Sequence, residues 1–207
     1  MEVIHFSPSD PLYPKDLKLF LGNNSPASIT ALGNLDILKQ DKLAFFCSVR
    51  CPGALILQTH DLAQQLRQAG VTVIGGFHSP IERECLKILL RGTQPLILCP
   101  ARSLTKLRIQ SELKKSLEAG RLLFLSPFAH HRHRSDVEMA LYRNRSVAAL
   151  ADRIFVGYAA PSSKTEQFCR EILGWRKPVF TLGSEFNKNL LTLGAKAITP
   201  EQAGLLL

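Results

Sequence analysis

One rhythm constrains this chain more than any other feature: from residue 43 onward, short apolar runs alternate with stretches of helical spacing that end at glycines. LAFFCSV (43–49), VTVIGG (71–76), PLILCP (95–100), RLLFLSP (121–127), RIFVGY (153–158) and KPVFTLG (177–183) read as strands. Between them, residues 53–69, 81–92, 104–120, a segment ending near Asp152, and 163–174 carry helical spacing. A helix around 185–193 and a short AKAIT strand follow. Strands that are apolar along their whole length are buried on both faces, and helices between them supply the cover. The pattern predicts an α/β fold, a Rossmann-like three-layer sandwich with a mostly parallel sheet. Residues 1–42 lack the rhythm. YPKDLKLFL (13–21) reads as a short helix and SITALGN (28–34) as a strand and turn, so 1–42 is expected to be an N-terminal extension packed on a core domain spanning 43–207.

Several function classes drop out early. No window approaches the length of apolar sequence needed to cross a bilayer, and MEVIHFSPSDP has no apolar signal core. The five cysteines contain no Cys-x-x-Cys pair, so free thiols in a reducing cytoplasm are expected. The net charge of +9 points to a polyanionic partner. That charge is concentrated in residues 100–134, which hold Arg102, Lys106, Arg108, Lys114, Lys115, Arg121, Arg132 and Arg134 against only Glu112 and Glu118.

In an open parallel sheet, ligands bind beyond the carboxyl ends of the strands, where loops lead into helix N-termini. The loops there read Ser48-Val49-Arg50-Cys51-Pro52-Gly53, then Gly75-Gly76-Phe77-His78-Ser79, then Ser126 to Arg134, and Ala159 to Thr165. They are rich in small hydroxyls, glycines and cations, and hold no carboxylate before Glu166. Such a rim suits phosphate, through amides, hydroxyls and helix dipoles. Neither G-x-x-x-x-G-K-[ST] nor G-x-G-x-x-G is present, which argues against ordinary triphosphate and dinucleotide binding. Ser162-Ser163-Lys164-Thr165 fits an N-cap as well as a ligand site. The run His130-His131-Arg132-His133-Arg134 has arginines interleaved and no neighbouring Cys or carboxylate, so phosphate contact suits it better than metal. Glu82 and Glu84 read as surface charges, and no paired carboxylates mark a catalytic rim. No cofactor, no resident metal and no catalytic residue are expected.

The helix after the fourth strand begins with Ser135-Asp136-Val137-Glu138, a capping-box pattern. That start places Arg143 about 10 Å along the helix. Spacing alone leaves open whether Arg143-Asn144-Arg145 is solvated helix surface or the wall of an anion site.

These motifs resemble the DprA/Smf family, the bacterial DNA-processing proteins of natural transformation. Tyr13-Pro14 with Leu17, and Gly33-Asn34-Leu35 with Leu38, look like the family's lead-in. Ser48-Val49-Arg50 stands where the family has its Gly-Ser-Arg turn. Arg143-Asn144-Arg145, followed by Leu150-Ala151-Asp152 and Ile154-Phe155-Val156, resembles its most distinctive signature. Pro178-Val179-Phe180, then Asn187, Leu190, Leu191, Gly194 and Ala195, resemble its closing segment. The chain departs from the family at Gly75 to Glu82, lacks the proline before the Arg-Asn-Arg signature, and lacks a glycine at Ser162-Ser163. It also stops before the winged-helix-like domain that many members carry.

The resemblance implies a Rossmann-like core, single-stranded DNA as ligand, the recombinase RecA as partner, and a homodimer. It implies DNA-phosphate roles for Arg50, Arg143 and Arg145, and for Lys164. Adding the rim residues gives an expected DNA- or phosphate-binding set of Ser48, Arg50, Gly75, Gly76, Arg143, Asn144, Arg145, Ser162, Ser163, Lys164 and Thr165. The competing reading is a nucleotide sensor or a relative of the lonely-guy phosphoribohydrolases. Those enzymes carry a catalytic glutamate where this chain has Phe168.

Overall fold

The computed structural model describes residues 2–128 and 136–206. Its centre is seven parallel strands: β3 (Lys42–Phe46), β4 (Thr72–Gly75), β5 (Leu96–Leu98), β6 (Leu122–Ser126), β7 (Arg153–Val156), β8 (Val179–Leu182) and β9 (Lys196–Ile198). Two further strands, β1 (Ile4–Phe6) and β2 (Ile29–Gly33), pair antiparallel and continue the sheet beyond β6. The full order is β1-β2-β6-β5-β4-β3-β7-β8-β9. The N-terminal segment thus extends the sheet itself.

Alternation along each strand explains the three layers, because successive side chains point to opposite faces. On β3, Ala44 and Phe46 enter one core while Leu43 and Phe45 enter the other. On β7, Ile154 and Val156 face the first and Phe155 the second. The first core is covered by α1 (Lys15–Leu21), α5 (Val137–Leu150) and α6 (Lys164–Leu173), through Leu17, Val147, Leu150, Phe168 and Ile172. The second is covered by α2 (Gly53–Ala69), α3 (Pro80–Leu90) and α4 (Ser111–Glu118), through Leu55, Leu62, Leu66, Cys85, Leu89 and Leu117. A short α7 (Lys188–Thr192) and a final 3-10 turn (Pro200–Leu206) close the chain, and Leu206 seals the second core.

Three expectations change. The helix expected over 104–120 forms only from Ser111. Upstream, the Ser103 hydroxyl accepts from the Thr105 N–H, and Lys106 adopts a positive φ of 58°. That local turn competes with helix formation, as serine side chains do. The cap of α5 is Asp136, whose carboxylate accepts from the Met139 N–H at 2.7 Å. Glu82 is no surface charge: it is only 7% exposed. Elsewhere the glycine stop operates as expected, with Gly70 closing α2 in the left-handed region at φ 75°.

From β3 the chain steps outward through β4, β5 and β6, then returns to lay β7 on the other side of β3. The topological switch point therefore lies between β3 and β7, and all the carboxyl-end loops open on one edge.

Candidate nucleic-acid interface

The site is built around one buried arginine. Arg143 sits in the second turn of α5 and is 4% exposed. Its Nη1 donates to the Cys99 carbonyl, at the end of β5, at 2.7 Å. Its Nε donates to Asn144 Oδ1 at 2.7 Å. Among the described residues, Nη2 has no hydrogen-bond partner. Burial pulls this guanidinium below its ordinary range, while the Glu82 charge opposes the shift. An arginine remains cationic in any protein setting.

Gly76 explains how the guanidinium fits. A Cβ at that position would collide with Arg143 Nη1 and Cζ. Glycine is therefore required at the end of β4 by the close approach of an arginine from α5. The glycine pair and the Arg-Asn-Arg signature are two halves of one contact.

Glu82 holds the loops beneath. Its Oε1 accepts from the Cys47 N–H at 2.9 Å, and its Oε2 from the N–H groups of His78 at 2.7 Å and Ser79 at 3.2 Å. The Ser79 hydroxyl accepts in return from the Glu82 N–H, completing a capping box. One carboxylate thus ties the end of β3 to the β4–α3 loop. At α6 the same device recurs: Ser163 is the N-cap, and Glu166 accepts from the Ser162 N–H at 2.9 Å and from Asn189 Nδ2 at 2.6 Å. Those hydrogen bonds hold the Glu166 carboxyl below its ordinary range. At both helix N-termini a glutamate of the chain already occupies amides that a phosphate would use. The rim offers side-chain cations to an anion more than it offers free amides.

A cavity of about 550 Å³ opens at this edge, lined in part by Gly76, His78, Arg102, Asp136, Arg143 and Asn144. Arg102 Nε is buried there without a hydrogen-bond partner among the described residues. Arg102 follows β5, a loop that sequence reasoning passed over, although an arginine after an apolar run was a readable signal. Glu82 was equally readable, as the fourth residue of Ser79-Pro80-Ile81-Glu82.

All but one of the expected site residues fall into three groups, and Arg145 stands apart. Gly75, Gly76, Arg143 and Asn144 come together at the ends of β4 and β5. Ser48 and Arg50 follow β3, on the same edge. Ser48 is buried and its N–H donates to the Tyr158 carbonyl at 2.9 Å, whereas Arg50 is exposed and unpartnered among the described residues. Ser162, Ser163, Lys164 and Thr165 form the α6 cap across the switch point, with Ser162 and Lys164 exposed. Arg145 is separated from Arg143. Residues two apart on a helix point about 200° from each other, and Arg145 Nε ion-pairs with Glu171 on α6, at 2.8 and 2.9 Å to its two carboxylate oxygens. It lies beside α1, near Phe20, Leu21, Asn24 and Tyr142.

Aromatic side chains near the rim are largely committed to packing. Phe77 is buried, and Phe128 packs on Tyr142 with ring centroids 5.7 Å apart. The loop from His130 to Arg134, with Ser135, lies outside the described residues. Among the described residues no cluster of His, Cys, Asp and Glu could hold a metal ion, and no helix is long and apolar enough to cross a membrane.

The family model of DNA recombination-mediator protein A matches residues 5–206. No curated protein matches. Among solved structures, the DNA processing protein A of Streptococcus pneumoniae aligns at a TM-score of 0.78 and 22% identity, over 99% of this chain and 74% of that one. The Helicobacter pylori DNA processing protein A, described for its single-stranded DNA binding mode, aligns at 0.74 and 21% identity, over 96% of this chain and 91% of that one. A molybdenum cofactor binding protein from Rippkaea orientalis aligns at 0.56 and 11% identity, over 81% of this chain and 94% of that one.

Proposed function

Because the chain belongs to the DNA recombination-mediator protein A family, we propose that it binds single-stranded DNA at the carboxyl edge of its sheet, in DNA processing. The observation that carries this reading is the cavity at the end of β4 and β5. There Arg143 Nη2 and the buried Arg102 Nε both lack partners among the described residues, and His78 stands beside them. A phosphodiester supplies the acceptors that these donors lack. Arg50 and Lys164, exposed on neighbouring loops, extend the cationic track along which a backbone could run. Phosphate contacts carry no sequence information, so binding would be indifferent to sequence.

We further propose a non-enzymatic role, with RecA as the protein partner, a homodimer as the working form, and natural transformation and recombination as the setting. Against glycosidic hydrolysis stand two positions on α6. The residue matching the phosphoribohydrolase glutamate is Phe168, buried at 4% exposure, and Glu166 is held by Ser162 and Asn189. Such cleavage needs a carboxylate at the sugar.

The test is a gel-shift titration with single-stranded and duplex DNA at two salt concentrations, beside a mononucleotide competitor. Tighter binding of the single strand, weakened by salt and little affected by the mononucleotide, is expected. Equal affinity for duplex, or full displacement by the mononucleotide at stoichiometric concentration, would refute the reading.

A further inference from the structure

A second groove opens beside the carboxyl edge, between α2 and α3. The two helices follow adjacent parallel strands and pack on each other, so both start at the rim and run away from it side by side. A cavity of about 420 Å³ lies between them. Its apolar lining comes from Ile56 on α2 and from Pro80 and Ile81 at the start of α3. Arg83 and Lys87 stand along it, four residues apart on one face of α3 and about 6 Å apart along the helix axis. His60 lines it from α2, and its Nε2 is buried with no hydrogen-bond partner among the described residues. The deepest lining residues, His60 and Lys87, each lie about 10 Å from the rim end of their helix.

The groove adjoins the edge cavity. His78 lines the edge cavity and Pro80 the groove, with only Ser79 between them in the chain. Glu82 fixes that turn by accepting from the His78 and Ser79 N–H groups. A strand leaving the edge over His78 therefore meets the groove next. The charges there favour an anion. Arg83 is exposed and makes no hydrogen bond or ion pair among the described residues. Lys87 is paired at 2.9 Å with Glu84, which also lines the groove, and both side chains are 54% exposed. So exposed a pair is weak, and it yields the lysine to a phosphate.

We propose that the α2–α3 groove carries single-stranded DNA onward from the edge, with phosphates on Arg83 and Lys87 and an unpaired base against Ile56, Pro80 and Ile81. A polar atom of the strand partners His60 Nε2. The inference rests on the proposed binding at the edge and lengthens its footprint. A base that packs on an apolar surface has left its stack and its complement, so the groove selects a single strand over a duplex. Backbone contacts and apolar packing carry little sequence information. Strandedness and length therefore specify the occupant.

The test measures fluorescence anisotropy of labelled oligothymidylates of about 4 and about 12 nucleotides, lengths within the range of single-strand site sizes, over a salt series. The short strand fills the edge cavity alone, and the long one reaches the groove. Arg83→Ala/Lys87→Ala should leave short-strand affinity unchanged and weaken the long strand several-fold. It should also make the long-strand log–log salt slope shallower by about 1.4, the share of two phosphates. Glu84→Gln frees Lys87 and should tighten the long strand, a gain that a folding defect does not produce. The long-strand slope decides even where the short strand binds too weakly to measure. An unchanged long-strand slope in the double variant, or equal losses at both lengths, would overturn the groove and leave the edge standing. A wild-type protein that binds neither strand would overturn the edge reading and the groove with it.

Discussion

Gly76→Ala tests the contact at the centre of the site. The added methyl occupies the position of the Arg143 guanidinium, so the arginine must leave the Cys99 carbonyl, to which it donates at 2.7 Å. A hydrogen bond to a charged group contributes about 1.5–3 kcal/mol. Gly76 does not have a positive φ, so alanine adds no backbone strain, and restricting the unfolded chain returns about 0.4–1 kcal/mol. The net loss is about 1–2 kcal/mol. At roughly 2–4 °C per kcal/mol for a chain of this size, the melting temperature falls by about 5 °C. The decisive assay is a double-mutant cycle with Arg143→Leu, read by urea denaturation. With the guanidinium gone, only the gain from the unfolded state remains, and Gly76→Ala becomes neutral or slightly stabilising. The expected coupling is about 2 kcal/mol. Independent sites add within about 0.3–0.5 kcal/mol, so a Gly76→Ala cost that is the same in both backgrounds would refute the reasoning.

Other substitutions probe the supports. Glu82→Gln turns an amide NH₂ toward either the Cys47 N–H or the His78 and Ser79 N–H groups; it should destabilise by about 2–3 kcal/mol in denaturant titration, since a buried donor is left unpaired. Lys177 donates to the carbonyls of Ala148, Ala149 and Ala151 at the end of α5 and lies 4.0 Å from the Phe20 ring centroid. Lys177→Met should therefore cost about 2 kcal/mol and raise amide exchange first in the last turn of α5. Glu166 has its carboxyl held below the ordinary 4.5. A carboxylate depressed in the fold adds stability that is complete above the unfolded value and lost as pH falls through the folded one. The stability gap between wild type and Glu166→Gln should therefore be full at neutral pH and shrink below about 4.5; a gap independent of pH would contradict the cap assignment.

The core was legible because strands covered on both faces must be apolar along most of their length, and β3 to β8 are, with Lys42 and Arg153 only at the first positions of β3 and β7. α2 was legible to its ends because a glycine in the left-handed region stops it. β1 was not: with Ile4 and His5 exposed and only Phe6 buried, an edge strand has no alternation long enough to read. α4 was overextended because the apolar residues Leu104, Leu107 and Ile109 keep helical spacing while Ser103 and Lys106 turn the chain. Within the site, sequence order brought Gly75-Gly76 and Arg143 into consideration separately, but the reason they belong together is a tertiary clash that no spacing encodes. The helical period does show that Arg143 and Arg145 face opposite ways. What α6 sets against Arg145, namely Glu171, depends on how the two helices pack.

The central claim is that DNA phosphates lie along the edge that Arg50 and Arg143 share. The salt dependence of single-stranded DNA affinity tests it most directly, measured for wild type and for Arg50→Ala, whose exposed side chain makes no described contact that folding would need. If about four phosphates are neutralised, the wild-type log–log slope is near −3, and Arg50→Ala makes it shallower by about 0.7. A slope and an affinity both unchanged in Arg50→Ala would contradict it.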